Sequence, residues 1–335
     1  MNLNSSITLS ALAVAGALSI GSCVNSAKTE TANSEPQEIF CADPTIFVEN
    51  GKYYLTGTDH GDTGFQLLES TDLENWTYVK GDSALFVLHK GDNVFGNKGF
   101  WAPQIYKEDG KYYMFYTANE QVAVAKSDSL TGPYVQERVR PIDGSEKNID
   151  PFLFRDDDGK YYLYHVRFDH GNFLWCGEYD MATDSVDTAT LVQCFKNTDP
   201  WEKTDDGRWD PIMEGMTVFK LDGVYYMTYS ANHFLNPDYA VGVATAPSPK
   251  GPWTKYAGNP VIHRNIVGEN GSGHGDLFTG LDGRPYYVYH VHYSDTVVSP
   301  RRTRIVPLNF NKNEETGVYD ISVDGDSVIV PHIVK

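Results

Sequence analysis

The sequence predicts an all-β chain folded as a five-bladed β-propeller, and three observations carry that expectation. A turn string with two tyrosines recurs five times, a second pair of short strands follows it in most copies, and helical spacing of apolar residues is confined to the first two dozen positions. The composition agrees. Of 335 residues, 41% are hydrophobic and 13% aromatic, which is enough to bury a large core and too much for disorder. With 27 Lys and Arg against 45 Asp and Glu, the net charge of -18 repels phosphate backbones and anionic headgroups, so nucleic acid is not an expected partner.

The repeats read NGKYYL (50–55), DGKYYMFY (109–116), DGKYYLYH (158–165), DGVYYMTY (222–229) and DGRPYYVYH (282–290). Their glycines are Gly51, Gly110, Gly159, Gly223 and Gly283, separated by 59, 49, 64 and 60 residues. Asn-Gly or Asp-Gly between apolar runs is a hairpin signal, because a type I′ turn needs positive φ at both central residues. The second strand pairs lie in FQLLESTDLENWTYV (65–79), VAVAKSDSLTGPYV (122–135) and VGVATAPSPKGPWTKY (241–256). Four short strands in each unit of this size make a propeller blade. A single β-sandwich gives no reason for one motif to return five times.

The N-terminus reads separately. Residues 7–20, ITLSALAVAGALSI, are uncharged and apolar over the length of a signal h-region, too short to span a bilayer. The run ends in LSIGSC (18–23), which resembles a bacterial lipobox. The expected organisation is a lipoprotein signal over 1–22, a lipid on Cys23, a flexible polar tether over 23–38 and the propeller over 39–335. An exported protein anchored to a bacterial membrane only by lipid, in the periplasm or on the outer-membrane surface, follows from this, and it is expected to act as a monomer. Export permits disulfides, yet only Cys41, Cys176 and Cys194 remain, an odd number that cannot be the main staple.

In a propeller the first strand of each blade lines the central channel, so equivalent repeat positions face one another. Counting back eight or nine residues from each turn glycine reaches Asp43, Trp101 with Ala102, Asp150, Glu214 and His274. Three acids, a histidine and a tryptophan are thereby expected at one mouth of the channel. Crowded, partly buried carboxylates cannot all ionise, so at least one pKa rises. A protonated acid beside an ionised one suits glycoside hydrolysis, in which the second carboxylate either activates water or attacks the sugar. Trp101 offers a flat wall for a sugar ring. A glycan-binding propeller without catalysis, and a five-bladed enzyme with a covalent nucleophile or another sugar specificity, are the alternatives.

The strings CADPTIFVENGKYYL, GFWAPQIYKEDGKYYMFYT, KNIDPFLFRDDDGKYYLY, MEGMTVFKLDGVYYMTYSAN, YAVGVATAPSPKGPWTKYAGNPVI and GSGHGDLF resemble glycoside hydrolase family 43, in the same order and over nearly all of residues 39 to 310. The resemblance implies a propeller with its catalytic pocket at one channel mouth and hydrolysis by inversion. The implied substrates are α-L-arabinofuranosyl or β-D-xylosyl linkages of plant cell-wall polysaccharides or their oligosaccharides. It also implies Asp43 as general base, Asp150 as the carboxylate that tunes and orients the acid, and Glu214 as general acid. Trp101 and Ala102 match the sugar-pocket wall. His274 matches a channel histidine beside a metal ion, often calcium, or beside its water, while the chemistry itself requires no cofactor. An arginine of the last blade is implied near the substrate; Arg301, Arg302 and Arg304 are available, and Arg302 is the expected one. Met216 departs from the family pattern, which commonly has Pro there.

The remaining conspicuous residues read as structural. His165, His290 and His292 follow aromatic strands, where packed histidines are common, and Asp156, Asp157 and Asp158 read as a solvated turn.

Overall fold

The computed structural model describes residues 36–81, 85–144, 146–204, 207–208 and 210–334. The signal and Cys23 lie outside the described residues. Five sheets follow one another along the chain, antiparallel except for one parallel pairing in the first. Their innermost strands are Ala42–Glu49, Trp101–Glu108, Asn148–Arg155, Met213–Leu221 and Gly273–Thr279. Each pairs with the aromatic strand after its turn, namely Lys52–Thr58, Lys111–Ala118, Tyr161–Phe168, Val224–Ala231 and Pro285–Val291. The innermost strands touch in sequence around a ring, and the fifth returns to the first. These are the five blades.

The doubled tyrosine has a physical reason. Successive strand residues point to opposite faces, so each blade sends one tyrosine toward each neighbour. Tyr112 packs with Phe65 and Met114 between blades 1 and 2, while Tyr113 packs with Phe115 and Leu153 between blades 2 and 3. Five apolar clusters fill the five interfaces in this way. Strand His332–Ile333 closes the ring by pairing in parallel with Asn75–Tyr78 of blade 1, and Gln37–Glu38 pairs with it in turn. The stretch read as tether thus contributes a strand at Gln37–Glu38. Glu38 accepts from Arg304 at 2.9 Å, which ties that strand to blade 5.

Three turns are of the expected kind, with positive φ at both Asn50 and Gly51, Asp109 and Gly110, Asp222 and Gly223. In the other two only Gly159 and Gly283 have positive φ. Those turns are longer: Asp156 N–H donates to Lys160 O, and Gly280 N–H to Arg284 O, as in three-residue loops that end on one left-handed residue. Asp156 departs from the solvated-turn reading. It is buried, accepts from Tyr225 Oη at 2.6 Å and from Lys220 Nζ at 3.0 Å, and so links blade 3 to blade 4. Blade 2 also departs from the four-strand expectation, since its fourth strand is reduced to a bridge between Lys126 and Val135. Cys41, Cys176 and Cys194 are free thiols.

Candidate active site

Each innermost strand carries a bulge at the same level. Between the pairs Ala42/Thr58 and Thr45/Thr56, and at the corresponding points of the other four blades, the inner strand gains one residue on its partner. The extra residue has left-handed backbone, with φ of 49° at Asp43, 44° at Ala102, 55° at Asp150, 59° at Gly215 and 42° at His274. Such a conformation costs a non-glycine residue of order 1–3 kcal/mol and persists only where its surroundings impose it. The preceding blade supplies the restraint. Ala102 N–H donates to Thr58 Oγ1 (3.0 Å), Asp150 N–H to Thr117 Oγ1 (2.9 Å), His274 N–H to Ser230 Oγ (2.7 Å) and Asp43 N–H to His290 Nδ1 (3.2 Å). At the corresponding place in blade 3 stands Val166, which offers no acceptor, and Gly215 N–H instead serves the Asp150 carboxylate. A Cβ at Gly215 would run into the His274 ring.

These five residues line the throat of the channel, a cavity of about 30 Å³. A throat of that size holds about one water, so a sugar ring must rest above it, at the mouth. Glu214 precedes the bulge by one residue and is equivalent to Ala42, Trp101, Ile149 and Gly273, not to Asp43 and Asp150 as the count from the turns had it. The mixed offsets of eight and nine residues concealed that shift, because blade 4 counted strictly lands on Gly215.

The carboxylates are driven in different directions. Burial alone raises the pKa of Asp43, but Arg301, His274, His290 and the Thr58 hydroxyl together hold it well below the usual carboxylate range. Arg301 Nη1 lies 3.0 Å from Asp43 Oδ1 and 3.1 Å from His290 Nε2. Burial, reinforced by the charges of Glu214 and Asp43, pushes Asp150 up to about 7. Asp150 Oδ2 is buried without a hydrogen-bond partner. Burial raises Glu214 too, against the pull of His274 and of the Tyr239 hydroxyl, which donates to Glu214 Oε1 at 2.8 Å. His274 Nδ1 stands 3.3 Å from Asp43 Oδ1 and 3.9 Å from Asp150 Oδ2. Its burial disfavours the charged ring, but the three surrounding acids raise its pKa.

Asp43, Ala102, Asp150 and His274 therefore meet at the throat, with Glu214 beside them and Trp101 half-buried one residue before Ala102. Arg302 does not join them. Its Nε donates to His292 O and its Nη2 to Glu269 Oε1, and Arg304 on the same strand face also clasps Glu269. Arg301, just outside the strand, is the arginine at the carboxylates. His290 also proves to be part of the site. It stands where Thr58, Thr117 and Ser230 stand in other blades, and that shared register was the signal available for it.

A calcium ion wants six to eight oxygen ligands. Below the bulges, both oxygens of Asp276 already accept hydrogen bonds, from Thr45 Oγ1 at 2.6 Å and from Thr217 Oγ1 and Leu277 N–H at 2.8 Å. Among the described residues no group of three or more His, Cys, Asp or Glu is arranged to hold a metal. The donors around His274 do not fit a calcium cage built of protein oxygens.

The profile of glycosyl hydrolases family 43 matches residues 37–315. An endo-1,4-beta-xylanase from Bacteroides thetaiotaomicron has a similar crystal structure, with TM-score 0.80 and 38% identity, covering 90% of this chain and 99% of that one. A thermostable family-43 glycoside hydrolase superposes with TM-score 0.75 at 29% identity over 87% of this chain and 95% of its own. In sequence, the beta-D-galactofuranosidase xynD of Aspergillus niger is 28% identical over 308 residues, 85% of this chain and 84% of the fungal one. A xylosidase/arabinosidase of Bacteroides ovatus is 25% identical over 72% of this chain and 83% of its own. A propeller whose channel mouth gathers three differently driven carboxylates, matched by one profile across most of its length, makes this chain a glycosidase belonging to glycosyl hydrolases family 43.

Proposed function

We propose that the protein hydrolyses α-L-arabinofuranosyl or β-D-xylosyl linkages of plant polysaccharides or their oligosaccharides with inversion at the anomeric carbon. One observation carries the assignment of roles: Arg301 keeps Asp43 ionised while burial keeps a proton on the Asp150 and Glu214 pair. Asp43 takes a proton from a water as that water attacks the anomeric carbon, and Glu214 gives its proton to the departing glycosidic oxygen on the other face. The bond to the leaving group breaks as the bond to water forms. Solvent then restores both protonation states. Asp150, bound by Gly215 N–H and coupled to Glu214 through the repulsion of their charges, is the carboxylate that tunes and orients the acid. Trp101 and Ala102 wall the sugar, and Arg301 faces the substrate side of Asp43. His274 holds Asp43 and Asp150 in register. A calcium ion near His274, held through water, carries no step in this reading.

The protein further acts as an exported monomer anchored through a lipid on Cys23, on the strength of the lipobox-like string LSIGSC and the polar stretch after it. The test of function is a panel of aryl α-L-arabinofuranosides, β-D-xylosides and β-D-galactofuranosides, the last included because of the Aspergillus relative, together with arabinan, arabinoxylan and xylan. NMR of the first product reads the anomeric configuration. Turnover of none of these substrates would reject the reading.

A further inference from the structure

Tyr239 closes the loop after the aromatic strand of blade 4 and is fully buried. Its N–H donates to Asn236 O at 3.0 Å, and its ring stacks on His290 with centroids 5.7 Å apart and planes 15° from parallel. A Cβ at Gly273 would run into that ring, so the glycine before His274 leaves the space the tyrosine occupies. The same loop is pinned at Phe234, whose carbonyl lies 2.8 Å from His292 Nε2 and whose ring lies beneath Arg301 at 4.8 Å. One loop thus reaches both sides of the site. Phe234 backs the arginine that holds Asp43, and Tyr239 meets Glu214.

We propose that Tyr239 is the positioning residue of the acid: by donating to Glu214 Oε1 it reserves Oε2 as the oxygen that carries the proton to the glycosidic oxygen. This rests on the reading of Glu214 as general acid. Burial and the Glu214 charge push the phenol's own ionisation up, so it stays a neutral donor over the working range. With Oε1 engaged by a donor, the carbonyl oxygen of the protonated acid is Oε1 and the hydroxyl is Oε2. As the proton leaves, the same hydrogen bond strengthens onto the new carboxylate, which favours transfer. Glu214 is otherwise faced by Asp43, Asp150, His274 and Arg301, all retained in the test below.

Tyr239→Phe removes the hydroxyl alone. On an oligosaccharide, with its poor leaving group, kcat falls about tenfold, the worth of one hydrogen bond to a charged group. On an aryl glycoside with an acidic phenol the loss is less than about twofold, because less proton donation is needed. Losing a bond to the carboxylate also moves the basic limb of kcat/KM upward by about one pH unit. Equal losses on both substrates with an unmoved basic limb, while Glu214→Gln is inactive on the oligosaccharide, overturn this proposal and leave the acid assignment standing. Glu214→Gln that still cleaves the oligosaccharide overturns both. Should Tyr239→Phe not fold, the infrared difference between wild type and Glu214→Gln decides: the protonated Glu214 carbonyl stretch is expected below that of a free carboxylic acid, and a free-acid position overturns the proposal.

Discussion

Arg301 Nη1 sits 3.0 Å from Asp43 Oδ1, in a place where both side chains are largely withdrawn from water. An opposite charge at this range lowers a carboxyl pKa by about 1–3 units, and burial leaves little solvent to screen it. Because Asp43 is depressed, its ionised form is present down to low pH, and the acidic limb of the activity profile starts low.

Arg301→Met should therefore move the acidic limb of kcat/KM upward by about 1–3 pH units, with Asp43 losing its charge where the wild type keeps it. The measurement is a pH–rate profile on one aryl glycoside. Arg302→Met should leave that limb in place, since Arg302 is engaged with Glu269 and the His292 carbonyl. An upward shift for Arg302→Met and none for Arg301→Met would reverse the assignment.

Much of this was legible in the sequence because repetition converts position into geometry. The turn strings located every blade, and alternation along the strand explains why tyrosines come in pairs. Asp43 and Asp150 stood out because counting back from the turn glycines reaches them; each precedes a proline, which, with no N–H to lose, suits the bulge the fold places there. The shift of Glu214 by one residue was hidden, since a bulge leaves no mark when its extra residue is an ordinary glycine. Arg301 and Tyr239 were hidden for another reason: they lie outside the inner strands, in segments that follow no repeat. Alternation separates Arg301 from Arg302 and Arg304, but only the fold determines which face looks inward.

Asp150→Asn should cost activity and add stability above neutral pH. Its carboxyl is raised to about 7 in the fold, against about 3.9 in an unfolded chain. The folded state therefore binds more protons across that window, and stability declines as pH rises through it. Asparagine removes the buried charge. Melting temperatures of the variant and wild type should be close near pH 4 and diverge in favour of the variant by pH 8. A gap that stays constant with pH would show that Asp150 is not raised.

A second stability prediction concerns Glu202, which is wholly buried and holds Lys255 at 2.6 Å, the Tyr229 hydroxyl at 2.7 Å and Asp199 N–H at 2.9 Å. Removing one partner of a buried pair costs about 3–5 kcal/mol because the other charge is left unpaired. Glu202→Ala should lower the melting temperature clearly. Lys312→Ala, which breaks an exposed pair with Asp222, should leave it unchanged. Equal effects would mean that burial does not govern these pairs.

Inversion makes a geometric demand. A water must fit between the base and the sugar, so the two carboxyl groups should stand about 6.5–9.5 Å apart, against about 5–5.5 Å in retaining enzymes. A crystal structure with a bound oligosaccharide checks the separation of Asp43 and Glu214, and NMR checks the first product. The shorter spacing, or retained configuration, rejects single displacement.

The three carboxylates are separated most sharply by comparing their variants on two substrates. Glu214→Ala should lose about 10²- to 10⁴-fold on an oligosaccharide, whose leaving oxygen needs a proton, and far less on an aryl glycoside that leaves as a stable phenolate. Asp43→Asn should fail on both, since neither leaving group replaces the base that activates water. Asp150→Asn should act through Glu214. The two acids repel as like charges, which shows in the rise of Asp150 and by reciprocity disfavours ionisation of Glu214 wherever Asp150 is charged. Removing that charge lets Glu214 ionise earlier and moves the basic limb of the profile to lower pH, while the acidic limb, set by Asp43, stays. The sign separates this from Tyr239→Phe, which moves the same limb upward. Equal losses for Glu214→Ala on the two substrates would reject Glu214 as acid, and wild-type activity in Asp43→Asn would place the chemistry elsewhere in the fold.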